Sequence, residues 1–209
     1  TECSRFLYII VRIMTALNIQ QKLAQKGLRL FTTADFRRTL GLSLPTAYKT
    51  LERCSKQGAV VRLRNGLYSL PWNKPGAMTI ANALYRPSYI SYESALAHYH
   101  LIPETVYAVT SATTRRTKEF EAGDFGYMYH SIKKAAFTGY RPCKVGDELV
   151  LMAEPEKALC DYLFLVFLKK RALNERIAWK KVDRKKLLQH ARLFKPKTFL
   201  SWMNHAIGR

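Results

Sequence analysis

Residues 44–70, LPTAYKTLERCSKQGAVVRLRNGLYSL, restrict the possible folds more than any other stretch of the chain. A run with helical spacing ends at Gly58, and a short alternating segment then turns at Asn65-Gly66. Asn-Gly is the preferred pair for a two-residue type I′ turn, in which both central positions need positive φ. That turn sets Arg64 opposite Leu67, Leu63 opposite Tyr68, Arg62 opposite Ser69 and Val61 opposite Leu70. Val61, Leu63, Tyr68 and Leu70 then line one face, and Arg62 and Arg64 stand on the other. The expected hairpin packs through one face and is cationic on the other.

The residues before it predict three short helices. Asn18 caps a first helix to about Lys26, with Ile19, Leu23 and Ala24 inward and Gly27 at its end. Thr33 is the expected N-cap of a second helix over 34–40, which places Phe36 and Leu40 on one face and ends at Gly41. Ser43 caps a third from about Leu44 to Gln57, with Pro45 in its first turn, where a missing N–H costs nothing. Ala47, Leu51 and Cys54 recur at core spacing. Thr46, Lys49, Thr50 and Arg53 gather on an adjoining face without apolar residues, and Tyr48 lies between core edge and surface. Three helices followed by a two-stranded hairpin is the order of a winged helix-turn-helix, expected over 14–72 after an extension at 1–13.

Charge then says what such a unit meets. The chain carries +20 overall. Residues 1–75 hold 13 Lys/Arg against 3 Asp/Glu, residues 76–168 hold 9 against 10, and residues 169–209 hold 13 against 2. Two basic ends flank a nearly neutral middle, a pattern that points to a polyanionic partner. On a helix that fits the major groove, Lys and Arg bond base edges or phosphates, and wing cations reach the backbone. Thr46, Lys49, Thr50, Arg53, Arg62, Arg64 and Asn65 are therefore the expected DNA-binding residues. Solvated polar faces and protein docking are the competing accounts of the same residues.

PWNKPGAM opens a linker expected over 73–86. Beyond it, residues 87–209 predict an α+β domain that ends in basic helices. Ser91 is positioned to cap a helix over 92–99, and TVYAVTSA (105–112), FGYMYHSI (125–132) and ELVLMA (148–153) have strand character. TGYRPCKVGD reads as a turn. EPEKALCDYLFLVFLKK predicts a helix with Pro155 at its start and basic residues at its end, matching the helix dipole. Asp183 caps RKKLLQHARLF, with Leu187, Leu188, Ala191 and Phe194 inward, and KTFLSWMNHAI follows Pro196. The basic tail (KKVDRKK at 180–186, RLFKPK at 192–197) fits a DNA clamp, an RNA contact or an acidic protein surface as well as a plain soluble helix face.

Few residues suggest chemistry. Cys3, Cys54, Cys143 and Cys160 form no zinc spacing, and free thiols in a reducing cytosol follow. FLYIIVRIM (6–14) and ALCDYLFLVFL (158–168) are too short to span a bilayer, so a cytoplasmic protein with no membrane partner is expected. His98 and His100 diverge at i, i+2. Glu119/Glu121/Asp124 and Glu154/Glu156/Asp161 are carboxylate clusters that a Mg²⁺-dependent nuclease would use. The first falls in an expected turn and the second in a helix cap and its first turns, and Asp161 lies in an apolar run where a hydrogen-bonded structural carboxylate is the better account. Neither an enzymatic site nor a cofactor is expected.

The order of these parts resembles the AbiEi-type antitoxins, the regulator half of bacterial abortive-infection toxin–antitoxin pairs. The resemblance rests on FTTADF…LGLS…AYKTLERCSKQGAVVRLRNGLYSL, on PSYISYESAL (87–96) and on AEPEKALCD (153–161), within residues 18–194. It implies a winged helix that binds the operator of its own operon and a C-terminal domain that counteracts a nucleotidyltransferase-like toxin, by contact or through the toxin's target. Only the DNA-reading role carries over by position, to 44–57 and 59–70. No functional role carries over to Tyr89, Ser91, Glu156 or Lys157, whose hallmark positions are expected to hold the domain together. Two protomers on one operator fit a single winged helix that must read a palindrome. A stand-alone winged-helix repressor without antitoxin activity is the alternative.

Overall fold

The computed structural model describes residues 16–104, 107–123 and 125–207, so the expected extension at 1–13 and Asp124 lie outside the described residues. The chain is mixed α and β and divides into two units, Thr1–Gly76 and Ala77–Arg209.

In the first unit, helix α1 occupies residues 16–25 of the described chain, so Asn18 lies inside it rather than at its cap. Strand β1 (Leu30–Thr32) leads directly into α2 (Thr33–Leu40). The α2 cap is Thr32, one residue earlier than expected: its hydroxyl accepts from the Asp35 N–H, and the Asp35 carboxylate accepts from the Thr32 N–H at 2.9 Å. This reciprocal box satisfies two free donors of the first turn, which Thr33 could not do with Phe36 at the matching position. Gly41 leaves the helix at φ +65°. Ser43 caps α3 (Leu44–Lys56), whose Ala47, Leu51 and Cys54 are buried as their spacing requires. Around them close Ile19, Leu23, Phe31, Phe36, Val60, Tyr68 and Leu70.

Strands β2 (Val61–Arg64) and β3 (Leu67–Ser69) form the hairpin, and β1 adds itself to the outer side of β3, giving the order β1-β3-β2. Both the turn and the register differ from expectation. Of the two central turn residues only Gly66 has positive φ, at +77°, so the turn is not type I′. Arg64 does pair with Leu67, but Arg62 then pairs with Tyr68 and Val61 with Ser69, across an irregularity at Leu63. The physical reason is the third strand. Pairing of Leu30 with Ser69 and Phe31 with Tyr68 fixes β3 from its other edge, and β2 absorbs the mismatch as a bulge. Ser69 is consequently buried, while Arg62 and Arg64 remain exposed.

The second unit begins earlier than expected. Residues 77–84, assigned from sequence to the linker, form α4 (Ala77–Leu84) with Ile80, Ala81, Ala83 and Leu84 buried. Then follow β4 (Ser88–Ile90), α5 (Tyr92–His98), β5 (Ala108–Thr113), β6 (Lys118–Ala122), β7 (Phe125–Ser131), β8 (Tyr140–Val145), β9 (Glu148–Ala153), α6 (Pro155–Phe167), α7 (Arg184–Ala191) and α8 (Thr198–Ile207). Two segments expected to be turns, around Glu119 and in TGYRPCKVGD, are the edge strands β6 and β8 of a mixed six-stranded sheet ordered β6-β7-β5-β4-β9-β8. Edge strands carry polar residues on exposed positions, which hides their strand character.

Side-chain alternation along β7 shows how this sheet is covered. The Tyr129 hydroxyl donates to the Ala81 carbonyl of α4 at 2.6 Å. The next residue, His130, sets its ring edge-on to Tyr92 of α5, with centroids 5.0 Å apart. Successive strand residues point to opposite faces, so α4 lies on one side of the sheet and α5 on the other. α6 packs on α5, and α7 and α8 pack on α6. Asp183 caps α7 as expected, its carboxylate accepting from the Lys185 and Lys186 N–H groups.

Candidate nucleic-acid interface

Helix α3 and the hairpin are adjacent in sequence and belong to the same unit, and both carry exposed cations. Thr46, Lys49, Arg53, Arg62, Arg64 and Asn65 are exposed, whereas Thr50 is half-buried. Thr46 is partly occupied by the helix cap, because its hydroxyl lies 2.8 Å from the Ser43 hydroxyl. Tyr48 is half exposed beside them. Within the described residues Lys49, Arg53, Arg62 and Arg64 have no ion-pair partner, and the Arg64 guanidinium donates to the Asn65 carbonyl at 3.1 Å. Such cations are fully available to an anion. Of the acids in this unit, Asp35 is engaged at the α2 cap and with Arg38, and the Thr32 hydroxyl and N–H hold its carboxyl below the usual range. Glu52 pairs with Lys56 at 2.8 Å.

The carboxylates singled out in the second unit do not converge. Glu119 and Glu121 point outward from β6. Glu154, at the α6 N-cap, lies 3.8 Å from Arg141. Glu156 is buried and accepts from the Asp183 N–H. Among the described residues no three His, Cys, Asp or Glu are grouped to hold a metal ion, and no helix is long and apolar enough to cross a membrane. His98 and His100 part as expected: the His98 ring sits 3.7 Å from the Cys143 sulfur, and His100 is exposed at a φ of +53°.

What the second unit does bring together is its two hallmark stretches. Ser91 occupies the N-cap position of α5 without capping it. Its hydroxyl donates instead to Asp161 of α6 at 2.7 Å, and the Tyr89 hydroxyl donates to the same carboxylate oxygen at 3.0 Å. The other Asp161 oxygen takes Lys157, one turn earlier on α6. Both members of this ion pair are wholly buried. The ammonium also faces the rings of Tyr89 and Phe194, 5.5 and 5.1 Å from their centroids. Burial and the neighbouring carboxylate push the Tyr89 phenol far above its ordinary range. A charge removed from water needs this full set of partners. The i, i+4 spacing of Lys157 and Asp161 on the expected helix fits their pairing, and Asp161 is the hydrogen-bonded structural carboxylate expected, but no spacing joined them to Tyr89 and Ser91.

Comparison with known protein families matches residues 18–71 to the transcriptional regulators described as AbiEi antitoxins. The matched stretch spans the helices and the three-stranded sheet of the first unit and stops short of the second. No curated protein matches the chain.

Proposed function

We propose that the first unit is a winged helix-turn-helix that binds duplex DNA at the operator of its own operon, and that the second counteracts a nucleotidyltransferase-like toxin. In this reading Lys49 and Arg53 enter the major groove, flanked by Thr46 and Thr50. Arg62, Arg64 and Asn65 form the wing that grips the neighbouring backbone. The observation that carries it is the run of four exposed, unpaired cations across α3 and the hairpin, in a segment similar to a family of regulators. The basic stretch after residue 168 lies outside that similarity, so its contribution to DNA or toxin binding is part of the proposal.

The test is binding of the full chain to the DNA upstream of its gene, with a scrambled duplex as competitor, across a salt series. Four phosphate contacts give a log–log salt slope of about −3.6, or roughly a 150-fold loss of affinity between 50 and 200 mM salt. Lys49→Ala/Arg53→Ala removes two of those charges and should bring the slope to about −1.8 if both touch phosphate. If they read bases, affinity and sequence preference fall with less change in slope. Unchanged operator affinity in the double variant overturns the assignment. The match ending at residue 71 keeps a stand-alone repressor as the second reading. Survival of cells expressing the neighbouring toxin gene separates the two, because a repressor without antitoxin activity gives no rescue.

A further inference from the structure

The face of α3 that carries Lys49 and Arg53 also carries an acid, and an acid is costly there. The buried stripe of α3 is Ala47, Leu51 and Cys54. At 3.6 residues per turn, Glu52 points about 135° from the centre of that stripe and Arg53 about 125° to the other side, with Lys49 between them. A surface that meets α3 directly opposite its buried stripe therefore meets Lys49, Glu52 and Arg53 together. The Glu52 side chain is 66% exposed, and Lys56 first, then the charge of Arg62 on β2, hold its carboxyl below the usual range.

A surface helix pair is the one structural duty that the described contacts give this carboxylate. Asp35 closes the capping box of α2. Glu52 caps nothing, touches no buried residue in the hydrogen bonds described, and pairs only with Lys56, four residues on, whose side chain is 75% exposed. Exposed pairs of this kind contribute little to stability. Against a phosphate backbone, meanwhile, Glu52 subtracts attraction from the very surface that Lys49, Arg53 and Arg62 supply.

We infer that Glu52 is a specificity residue, whose carboxylate accepts a hydrogen bond from an exocyclic amino group exposed in the major groove. Cytosine N4 and adenine N6 are the two groups of that chemistry, and a carboxylate is the usual acceptor for the cytosine amine. At a site that presents the amine, the bond offsets the repulsion. At every other site only the repulsion remains, so selectivity is gained from what the residue rejects as well as from what it binds. The inference rests on the DNA-reading role proposed above and deepens it.

The experiment selects duplexes from a random library with the full-length wild type, Glu52→Ala and Glu52→Gln, then measures affinity for the selected and a scrambled duplex at one salt concentration. Glu52→Ala should bind the scrambled duplex several-fold more tightly and lose its preference at one base-pair position. Glu52→Gln should shift that position toward adenine, the base that Gln reads through N6 and N7. Replacing the selected base by 2-pyrimidinone for cytosine, or by purine for adenine, deletes the amine. It should weaken the wild type about 5- to 150-fold and leave Glu52→Ala unmoved. The base analogue that has this effect identifies the amine. Tighter binding by Glu52→Ala with an intact preference reduces Glu52 to general repulsion and overturns the inference. Weaker binding at all sequences assigns it to holding Lys56 and Arg62 and overturns it equally. A wild type that selects no sequence overturns the DNA-reading role itself and this inference with it.

Discussion

Replacing Asp161 with alanine should unfold the second unit at a markedly lower temperature. The carboxylate is the common acceptor for the Tyr89 and Ser91 hydroxyls, at 3.0 and 2.7 Å, and it is the counter-ion of Lys157. With the carboxylate gone, the Lys157 ammonium retains only the ring faces of Tyr89 and Phe194. Breaking a buried pair in this way costs about 3–5 kcal/mol, because the remaining charge has neither water nor partner. For a unit of this size each kcal/mol moves the midpoint by about 3–5 °C, which gives a fall of roughly 9–25 °C.

Calorimetry on the full chain reads this effect in the transition of the second unit. The informative control is Lys157→Met/Asp161→Asn, which removes both charges and keeps an acceptor for Tyr89 and Ser91. Replacing a buried pair by uncharged groups of similar size is often nearly neutral, so the double variant should recover most of the loss. A fall of less than about 3 °C in Asp161→Ala would show that the pair is not desolvated in the way its burial indicates. A double variant as unstable as the single one would refute the charge argument and leave a packing defect instead.

Two further expectations concern the same unit. Gly139 sits at φ +73°, and a Cβ there would lie 2.6 Å from the His190 ring and 3.1 Å from the Lys157 side chain, whereas Gly146 at φ +59° faces open space. Gly139→Ala should therefore lower the melting temperature clearly more than Gly146→Ala, which carries only the backbone strain of about 1–2 kcal/mol; equal losses would mean that the neighbours of Gly139 yield freely. Burial, then the Arg171 and Lys170 charges, lower the His130 pKa to about 4. A His held neutral in the folded state contributes stability that is complete above about pH 6.5 and is lost as the pH falls toward 4. His130→Phe should flatten the decline in melting temperature between pH 7 and 4.5 relative to the wild type, with His190, also lowered by burial, unchanged in both proteins.

Much of the first unit was legible because its signals are local. Gly27, Gly41 and Gly58 close three helices, and all adopt positive φ. Leu51 and Cys54 fall inward on period alone. What escaped was non-local. A three-residue strand such as β1 has no period of its own and exists through its partner, and that partner then moved the hairpin register by one residue. The same holds in the second unit, where β6 and β8 carry the charged and proline-bearing sequences of edge strands and α4 begins one residue after a glycine in a stretch resembling a linker. For the candidate interface, the sequence located the cations but not their freedom from partners. It also passed over Glu52, because a single exposed acid on a basic helix has no spacing to announce it.

The hallmark stretches of the second unit invite a functional role, and their geometry argues for another. Tyr89, Ser91, Lys157 and Asp161 point at one another inside the domain, so none is available to a toxin or a nucleic acid. Substitutions there should act on function only through the amount of folded protein. Tyr89→Phe and Ser91→Ala each remove one hydrogen bond to a charged acceptor, about 1.5–3 kcal/mol, and each keeps nearly the volume of the original side chain. Their rescue of toxin-expressing cells, plotted against melting temperature together with Asp161→Ala and Lys157→Met/Asp161→Asn, should follow a single curve. A Tyr89 or Ser91 variant with the wild-type midpoint and no rescue would break that curve and place the residue in a contact that the buried cluster does not provide. If the curve holds, the buried cluster acts through folding alone, and the antitoxic role proposed for this unit falls to its exposed side chains.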